Sequence, residues 1–507
     1  MTFREADTNF RFVNEMLAHE QAVAVLDEEI QGLVRNVRQL QFKKSQHQEK
    51  IKHYKGLMTL ARRMPPEILA SIFEECVRDG WTRTPLTASH VCSEWRKAAS
   101  IPTVWSHIYV NCDAKDPIGR TRFWLRQAQS SLLSITIDVQ NDTLQLPGVM
   151  ELLLERSSNW QNLTINSSLL SHSNYILSLC VRTVPVPELR LINISVTQEF
   201  DDELNGELLG RYDLVGLVNA FHGAPRLQSL RTTRNILPSQ GTIPSSITDL
   251  SLTLPCYLTN PKSSIAKLLQ LLEGLPLLES LAVSLVRGQS REFVLALDQS
   301  RVVSLLKLRV LILIGTSEMF SVLPHLMTPS LARLHLHSSL DPLGYPDESV
   351  GSHVLQFIRK ASPLELFELF DIDFSLDDFA SCFAALPYLK ELRLHDSQIS
   401  DSVIETLYRQ EGSCPSLERL DLRWCGQVTG RALTELVKGR LHAKNSSQNS
   451  TDLMTPITSL TVINCSFVKE QDIFDLAEMT ICRIIMGASD YCRKFHLSDP
   501  IISSHLF

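Results

Sequence analysis

Residues 377–395 have the sequence DDFASCFAALPYLKELRLH, which contains one complete structural unit. Its first nine residues place apolar side chains at helical spacing, and Leu386-Pro387 then predicts a turn. The pattern Leu389-x-x-Leu392-x-Leu394 follows. Because side chains alternate across a strand, the leucines lie on one face and the residues between them on the other. The stretch predicts a helix and then a short strand whose leucines are buried.

The x-L-x-x-L-x-L pattern recurs beyond residue 111, which indicates a repeat protein. Clear copies begin at Leu227, Ile247, Leu278, Leu308, Leu331, Leu389, Leu417 and Ile457, and less regular ones lie around Ile135, Leu163, Leu189 and Phe367. They form about twelve units, commonly about 23 to 33 residues apart. Amphipathic helices are predicted between copies, for example at Ile265–Glu273 and Gly430–Val437. Neighbouring units bury one another's leucines, so we predict an α/β solenoid with a parallel sheet on its concave face and helices outside.

The first sixty residues favour one long helix. Between Glu15 and Arg63 there is no proline, and the only glycines are Gly32 and Gly56. Apolar residues follow a 4-3 spacing, which keeps one stripe facing a partner helix, as in a coiled coil. The stripe consists of Met16, Val23, Leu26, Ile30, Leu33, Val37, Leu40, Ile51, Tyr54 and Met58. We predict a coiled-coil helix over residues 10–60 that self-associates, docks onto the chain's own domains or binds an unrelated partner.

Residues 64–110 have the sequence MPPEILASIFEECVRDGWTRTPLTASHVCSEWRKAASIPTVWSHIYV. Pro65 and Pro66 suit a helix start, and Glu67 complements the positive end of that helix. The helix carries a broad apolar stripe, and Gly80 then breaks the pattern before a second helix, which ends at Pro102. A helical unit of this size cannot bury all its apolar surface alone, so a partner surface is expected.

This segment, taken as residues 62–110, resembles an F-box, in particular the version found in fungal proteins with an N-terminal coiled coil. The resemblance rests on Met64-Pro65-Pro66-Glu67, Ile68-Leu69, Ile72-Phe73, Val91-Cys92-x-x-Trp95-Arg96 and Pro102-x-x-Trp105. It implies contact with a Skp-type adaptor, which is docked on a cullin. The implied contact residues are Met64, Pro65, Ile68, Leu69, Ile72 and Phe73, while Val91 and Trp95 either join them or hold the helices together. The alternative is an ordinary helical hairpin inside a larger core.

The repeats resemble leucine-rich repeats, and their irregular lengths match the type found in F-box proteins. We therefore place the repeat domain at residues 111–507. The polar tract 443–451 predicts a mobile loop. Residues 481–507 are expected to cap the array, because a terminal unit otherwise exposes its apolar face.

Composition narrows the class of protein. The chain has 507 residues and a net charge of −7, which favours two or more domains and argues against general nucleic-acid binding. The start carries acidic residues and lacks an apolar h-region, and no stretch approaches the roughly 18 apolar residues of a membrane span. Eleven scattered cysteines without a CxxC pair argue against a disulfide framework or a zinc site. We expect a cytoplasmic or nuclear protein that binds neither nucleic acid nor membrane.

Catalytic motifs are not evident in the sequence. There is no phosphate-binding glycine loop, no HExxH and no GxSxG, and Cys92 has no evident base nearby. His335 and His337 could bind a metal, but strand alternation puts both on the exposed face, so we interpret them as surface histidines. We expect no catalytic residue, no cofactor and no metal.

The residues between the leucines define the predicted concave face. Three units place basic side chains there: Arg333, His335, His337, Arg393, His395, Arg419 and Arg423. Arginine and histidine gathered on one face of an acidic chain suggest recognition of an acidic or phosphorylated segment. A merely solvated sheet face is the alternative, since Glu368 and Phe370 interrupt the cluster.

Taken together, the resemblance implies a non-catalytic substrate receptor of a cullin-based, SCF-type ubiquitin ligase. A scaffold that uses the repeats and the coiled coil without a ligase is the main alternative. An enzyme is disfavoured because no site supports one.

Overall fold

The computed structural model describes residues 3–57, 64–141, 144–181, 185–197, 221, 224–233, 243–254, 261–285, 301–315, 317–338, 348–360, 363–410, 412–446 and 454–485. These residues fall into two compact units, Met1–Val104 and Trp105–Phe507. The domain limits 10–60, 62–110 and 111–507 remain predictions.

The first unit is helical. It contains α1 (Phe3–Leu57), α2 (Pro66–Arg78), α3 (Thr84–Ser89) and α4 (Ser93–Ala99). The 55 residues of α1 are one continuous helix, as the absence of proline predicts. Its apolar stripe faces solvent, with Leu33 at 58% exposure. Met58, the last residue of the predicted stripe, lies outside the described residues.

The three shorter helices pack around a small apolar core. Pro65 is extended (φ −54°, ψ 145°) and precedes Pro66, the first residue of α2. The backbone N–H that proline lacks would have no partner within the helix at this position. Leu69, Phe73 and Val77 recur every four residues and are buried. The Phe73 ring lies 5.1 Å from the Trp95 ring of α4, which joins the first and last helices of this group.

The second unit is built on one parallel sheet. Its strands are β1 (His107–Asn111), β2 (Leu133–Val139), β3 (Trp160–Ser167), β4 (Leu191–Val196), β5 (Ser229–Thr233), β6 (Asp249–Leu254), β7 (Ser280–Leu285), β9 (Val310–Gly315), β11 (Arg333–Ser338), β12 (Leu366–Phe370), β13 (Glu391–His395), β14 (Arg419–Arg423), β15 (Ser459–Ile463) and β16 (Ile481–Ile485). These 14 strands pair in chain order. The short strands β8 (Val303–Ser304) and β10 (Leu326–Met327) form a separate pair.

Within the described residues, a helix lies between most successive strands of the sheet. They are α5 (Pro117–Ala128), α6 (Leu146–Leu154), α7 (Leu170–Cys180), α8 (Pro261–Glu273), α9 (Ser317–Phe320), α10 (Glu348–Lys360), α11 (Leu376–Ala384), α12 (Asp401–Arg409), α13 (Gly430–Ser446) and α14 (Glu470–Ala477). Among the helices of the described residues, none combines the length and apolarity needed to cross a membrane.

The leucine pattern determines which side of the sheet is buried. In β2 every second side chain is buried, beginning and ending with Leu133 and Val139. In the register between β13 and β14, Leu392 lies beside Leu420 and Leu394 beside Leu422, and all four are at most 1% exposed. Stacked leucines thus form a continuous core beneath the sheet, as expected for leucine-rich repeats. The predicted α/β architecture is confirmed.

Several strands end at a residue with left-handed backbone. Asp371, Asp396, Trp424 and Asn464 directly follow β12 to β15 and have φ values of 52°, 51°, 59° and 54°. Such values are uncommon for residues other than glycine, most of all for a bulky one such as tryptophan. The same turn therefore ends each of these strands at the same register.

Two boundaries differ from the prediction. Helix α13 continues to Ser446, so the loop predicted from Ala443 is wrong over its first four residues, and 447–451 lie outside the described residues. The buried face of this helix continues past Val437, because it includes Leu433, Leu436, Val437 and Arg440. Residues 481–485 form β16 beside β15, and the rest of the predicted cap lies outside the described residues.

Candidate protein-binding surfaces

The apolar stripe of α2 divides into an inner and an outer line. Leu69 and Phe73 point inward and are only 2% and 3% exposed. Ile68 and Ile72, one residue earlier in each turn, are 50% and 43% exposed. Adjacent residues of a helix are rotated by about 100°, so a stripe this broad cannot face a single neighbour.

The eight residues predicted to contact an adaptor therefore separate into two groups. Pro65, Ile68, Ile72 and Val91 are exposed, and Met64 and Trp95 are half-buried. Leu69 and Phe73 lie in the core of the unit, and their contact with an adaptor stays a prediction. Trp95 packs on Phe73, consistent with a role in holding the helices together.

Trp81 was not among the predicted contact residues, although among the large apolar side chains described in this unit it is the most exposed, at 75%. It follows Gly80, whose φ of 95° ends α2. The Trp81 N–H donates to the Cys76 carbonyl at 3.0 Å, which fixes the turn. A tryptophan directly after a helix-terminating glycine is the sequence feature that could have identified this exposed side chain.

The second surface is the sheet face formed by β11 to β14. Its central row contains one residue from each strand, in the order His335, Glu368, Arg393 and Asp421. A row on one side contains Arg333, Leu366, Glu391 and Arg419, and a row on the other side contains His337, Phe370, His395 and Arg423. All seven predicted basic residues lie on this face.

Glu368 is the centre of the polar network on this face. It is 7% exposed, and its carboxylate lies 3.0 Å from His335 Nδ1 and 2.8 Å from His337 Nε2. Arg393 Nη1 also donates to it, at 3.1 Å. Burial by itself would raise the pKa of Glu368, but the hydrogen bonds and charges of the two histidines hold it well below its usual range.

Three of the arginines on this face, Arg393, Arg419 and Arg423, are paired with acidic residues of the same face. Arg393 Nε donates to Glu391 at 2.6 Å, and Arg419 Nε donates to the other oxygen of Glu391 at 2.8 Å. Arg423 makes two hydrogen bonds to Asp421, at 2.9 and 2.7 Å.

His395 and Arg423 both act on Asp421. His395 Nε2 lies 3.5 Å from the Asp421 carboxylate and is only 6% exposed as a residue. Burial would raise the pKa of Asp421, but His395 and Arg423 lower it to about 2. Asp421 is therefore ionised at neutral pH and carries the negative charge that pairs with Arg423.

This pairing changes the prediction for the concave face. Four arginines (Arg333, Arg393, Arg419 and Arg423) are interleaved with three carboxylates, so the face is a mixed-charge lattice and not a free basic patch. Strand alternation placed these residues on one face but gave no strand-to-strand register, so the pairings were missed. His335 and His337 are half-buried beside Glu368, which also corrects the interpretation of these two residues as ordinary surface histidines.

Comparison with known proteins agrees with the segment resemblance. Residues 61–111 match the F-box-like family model, which confirms the F-box resemblance of this part of the chain. The match covers about a tenth of the 507 residues.

Two solved structures resemble the chain weakly. One is TLR13 in its complex with ssRNA13, at 13% identity and a TM-score of 0.36, with 70% of this chain and 43% of that chain covered. The other is a Bacteroides fragilis protein, at 12% identity and a TM-score of 0.26, with 70% and 74% covered. The chain thus spans less than half of the TLR13 chain. No curated protein matches it.

Proposed function

We propose that the chain is a substrate receptor of a cullin-RING, SCF-type ubiquitin ligase. The observation that carries this proposal is the F-box-like segment, with an outward apolar line on α2, ahead of a leucine-rich-repeat sheet. The first would bind a Skp-type adaptor and through it a cullin, and the second would bind the protein to be ubiquitinated. The chain itself would be non-catalytic and would act in the cytoplasm or the nucleus.

The exposed residues Ile68 and Ile72 are the best candidates for the adaptor contact. They lie one helical turn apart, so one apolar pocket or groove can take both. Leu69 and Phe73 would support that surface from below. Exposed apolar side chains on a small helical unit are stabilised when a partner covers them.

Co-purification tests the proposal. Ile68→Asp combined with Ile72→Asp should lose the adaptor and the cullin, because each buried apolar anchor contributes about 2 kcal/mol and two such losses lower affinity well over tenfold. Phe474→Asp is the matched control, since Phe474 is an exposed apolar residue of α14 at 59% exposure. Equal recovery of adaptor and cullin with the double variant and the control would contradict the proposal.

A scaffold without a ligase is the second candidate, and the exposed stripe of α1 favours it. A scaffold of this kind would recover partners through α1 or the sheet. Neither the wild-type chain nor its variants would recover an adaptor or a cullin. Wild-type purification therefore separates the two functions.

A further inference from the structure

His335, His337 and Glu368 form a compact group of metal-ligating side chains. Within the described residues, their ligand atoms all lie within 4.8 Å of one another. The two histidines are separated by one residue on β11, so both point to the same side of the sheet, and Glu368 lies opposite His335 on β12 with its carboxylate in reach of both imidazoles. Both oxygens of its carboxylate are engaged, one by each imidazole.

The chemistry of this group suits a zinc ion. Zinc in proteins is commonly four-coordinate, at about 2.0–2.1 Å from histidine nitrogen and about 2.0–2.2 Å from carboxylate oxygen. Two ligand atoms on one such ion are then roughly 3.3 Å apart. His335 Nδ1 and His337 Nε2 lie 3.0 and 2.8 Å from different oxygens of the Glu368 carboxylate, and the ligand atoms all lie within 4.8 Å of one another, so these side chains must readjust to share one ion. A set of two histidines and one glutamate leaves the fourth position open.

The surroundings also support metal binding. Arg393 holds the Glu368 carboxylate from the side of β13, as hydrogen-bonded neighbours commonly hold a ligating carboxylate. Glu368 is buried, whereas the side chains of His335 and His337 keep 17% and 21% of their surface exposed. An ion can therefore reach the group from the concave side of the sheet.

The geometry points to a divalent transition-metal site, best suited to Zn²⁺, held by His335, His337 and Glu368 with one open coordination position on the concave face. Water fills that position in the free chain, and a carboxylate, imidazole or thiolate from a bound protein can replace it. This site does not depend on the proposed ligase function, because the isolated chain contains all three ligands.

Metal titration of the purified full-length chain tests the site. We expect wild type to bind one tight equivalent of Zn²⁺ and to give, with Co²⁺, the visible absorption of a four-coordinate site with nitrogen and oxygen ligands. His335→Gln, His337→Gln and Glu368→Gln should each weaken binding by at least about tenfold. His395→Gln is the matched control, since His395 lies on the same face, two strands from β11, and should leave affinity unchanged.

Three outcomes would contradict the proposed metal site. They are the absence of a tight equivalent in wild type, wild-type affinity in both His335→Gln and His337→Gln, or a thiolate-to-cobalt band that places the metal on cysteines. Far-UV circular dichroism of the metal-free variants shows whether each one folds. If a variant does not fold, the stoichiometry and cobalt spectrum of wild type decide. Adaptor recovery is not a readout here, so failure of this site leaves the ligase proposal unaffected.

Discussion

At the scale of single residues, Arg440 is a charged side chain of the repeat unit that is fully buried. It is 0% exposed and donates six hydrogen bonds to the backbone carbonyls of Leu407, Ser413, Cys414, Leu417 and Thr455. Burial lowers the pKa of Arg440 to about 10, so it stays protonated at neutral pH. Its guanidinium joins the last turn of α12, the loop before β14 and the segment before β15.

Replacing Arg440 should therefore destabilise this region strongly. Arg440→Met should lower the free energy of unfolding by about 3 kcal/mol or more, because several buried carbonyls lose their donor. Hydrogen exchange of α12 and α13, together with the denaturation midpoint, measures the effect. Arg409→Met is the control, since Arg409 forms an exposed pair with Glu405 and an exposed contact with the Tyr408 ring, and its loss should change stability by less than about 1 kcal/mol. Similar exchange in both variants would contradict the assigned role.

Asp371 gives a prediction about pH. Burial and the nearby carboxylates of Asp396 and Asp373 raise the pKa of Asp371 to about 6, above its unfolded value of 3.8. The folded chain then binds the proton more tightly than the unfolded chain, so this group makes stability fall as pH rises from about 4 to about 6.

Asp371→Asn should remove that dependence. The variant should melt higher than wild type at pH 7 and close to wild type at pH 4, and asparagine tolerates the left-handed backbone at this position. Melting curves between pH 4 and pH 7 provide the measurement. Asp377→Asn, at an exposed position in the first turn of α11, should keep the wild-type slope. If Asp371→Asn keeps it too, another group is responsible.

At the scale of elements, α1 presents an apolar stripe for which the described residues provide no cover, since Leu26, Ile30 and Leu33 are 55–58% exposed. We expect the full-length chain to associate through this stripe, with itself or with a partner. Leu33→Asp should abolish the association, because a charge in a coiled-coil seam must be desolvated. Leu33→Pro should do the same by breaking the helix, at a cost of about 3 kcal/mol.

Analytical ultracentrifugation and partner recovery from lysate measure this association. Gln39→Asp is the matched control, since it adds the same charge outside the 4-3 stripe and should associate as wild type does. A wild-type chain that stays monomeric at high micromolar concentration and recovers no partner through α1 would contradict the coiled-coil prediction.

The sequence predicts elements better than it predicts contacts between them. The leucine period places β13 and β14 correctly because burial of alternate side chains is a local property of a strand. Which line of α2 faces inward depends on where α4 places Trp95, and the stripe itself carries no information about that. The ion pairs of Glu368 depend on the register of three strands, which no single repeat encodes. Periodicity thus located the candidate surfaces, but their charge balance required the folded sheet.

At the scale of the whole molecule, substrate binding and adaptor binding are assigned to different units. Within the mixed-charge face, Arg333 and Arg419 are the two arginines with exposed side chains. Arg333→Glu combined with Arg419→Glu should reduce recovery of an acidic or phosphorylated substrate severalfold. Adaptor recovery should not change, because repeats contact only their neighbours. Substrate binding should also weaken with salt, since exposed charge pairs are screened over about 8 Å at physiological ionic strength.

Comparison of interactomes from the same cells provides the measurement. Arg409→Glu reverses a charge on the exposed part of helix α12 and is the control for altered net charge. If the double variant and the control recover the same ligase-dependent partners at the same levels, the substrate binds elsewhere.

The left-handed residues at the ends of β12 to β15 have a consequence for how the chain can change in evolution. They recur at positions 371, 396, 424 and 464, which are intervals of 25, 28 and 40 residues, although the strands before them stay in register. Insertions and deletions on the helical side are therefore absorbed between one strand end and the next strand. New residues can accumulate there without displacing the concave face, so the length of a repeat and the identity of its binding surface can diverge independently.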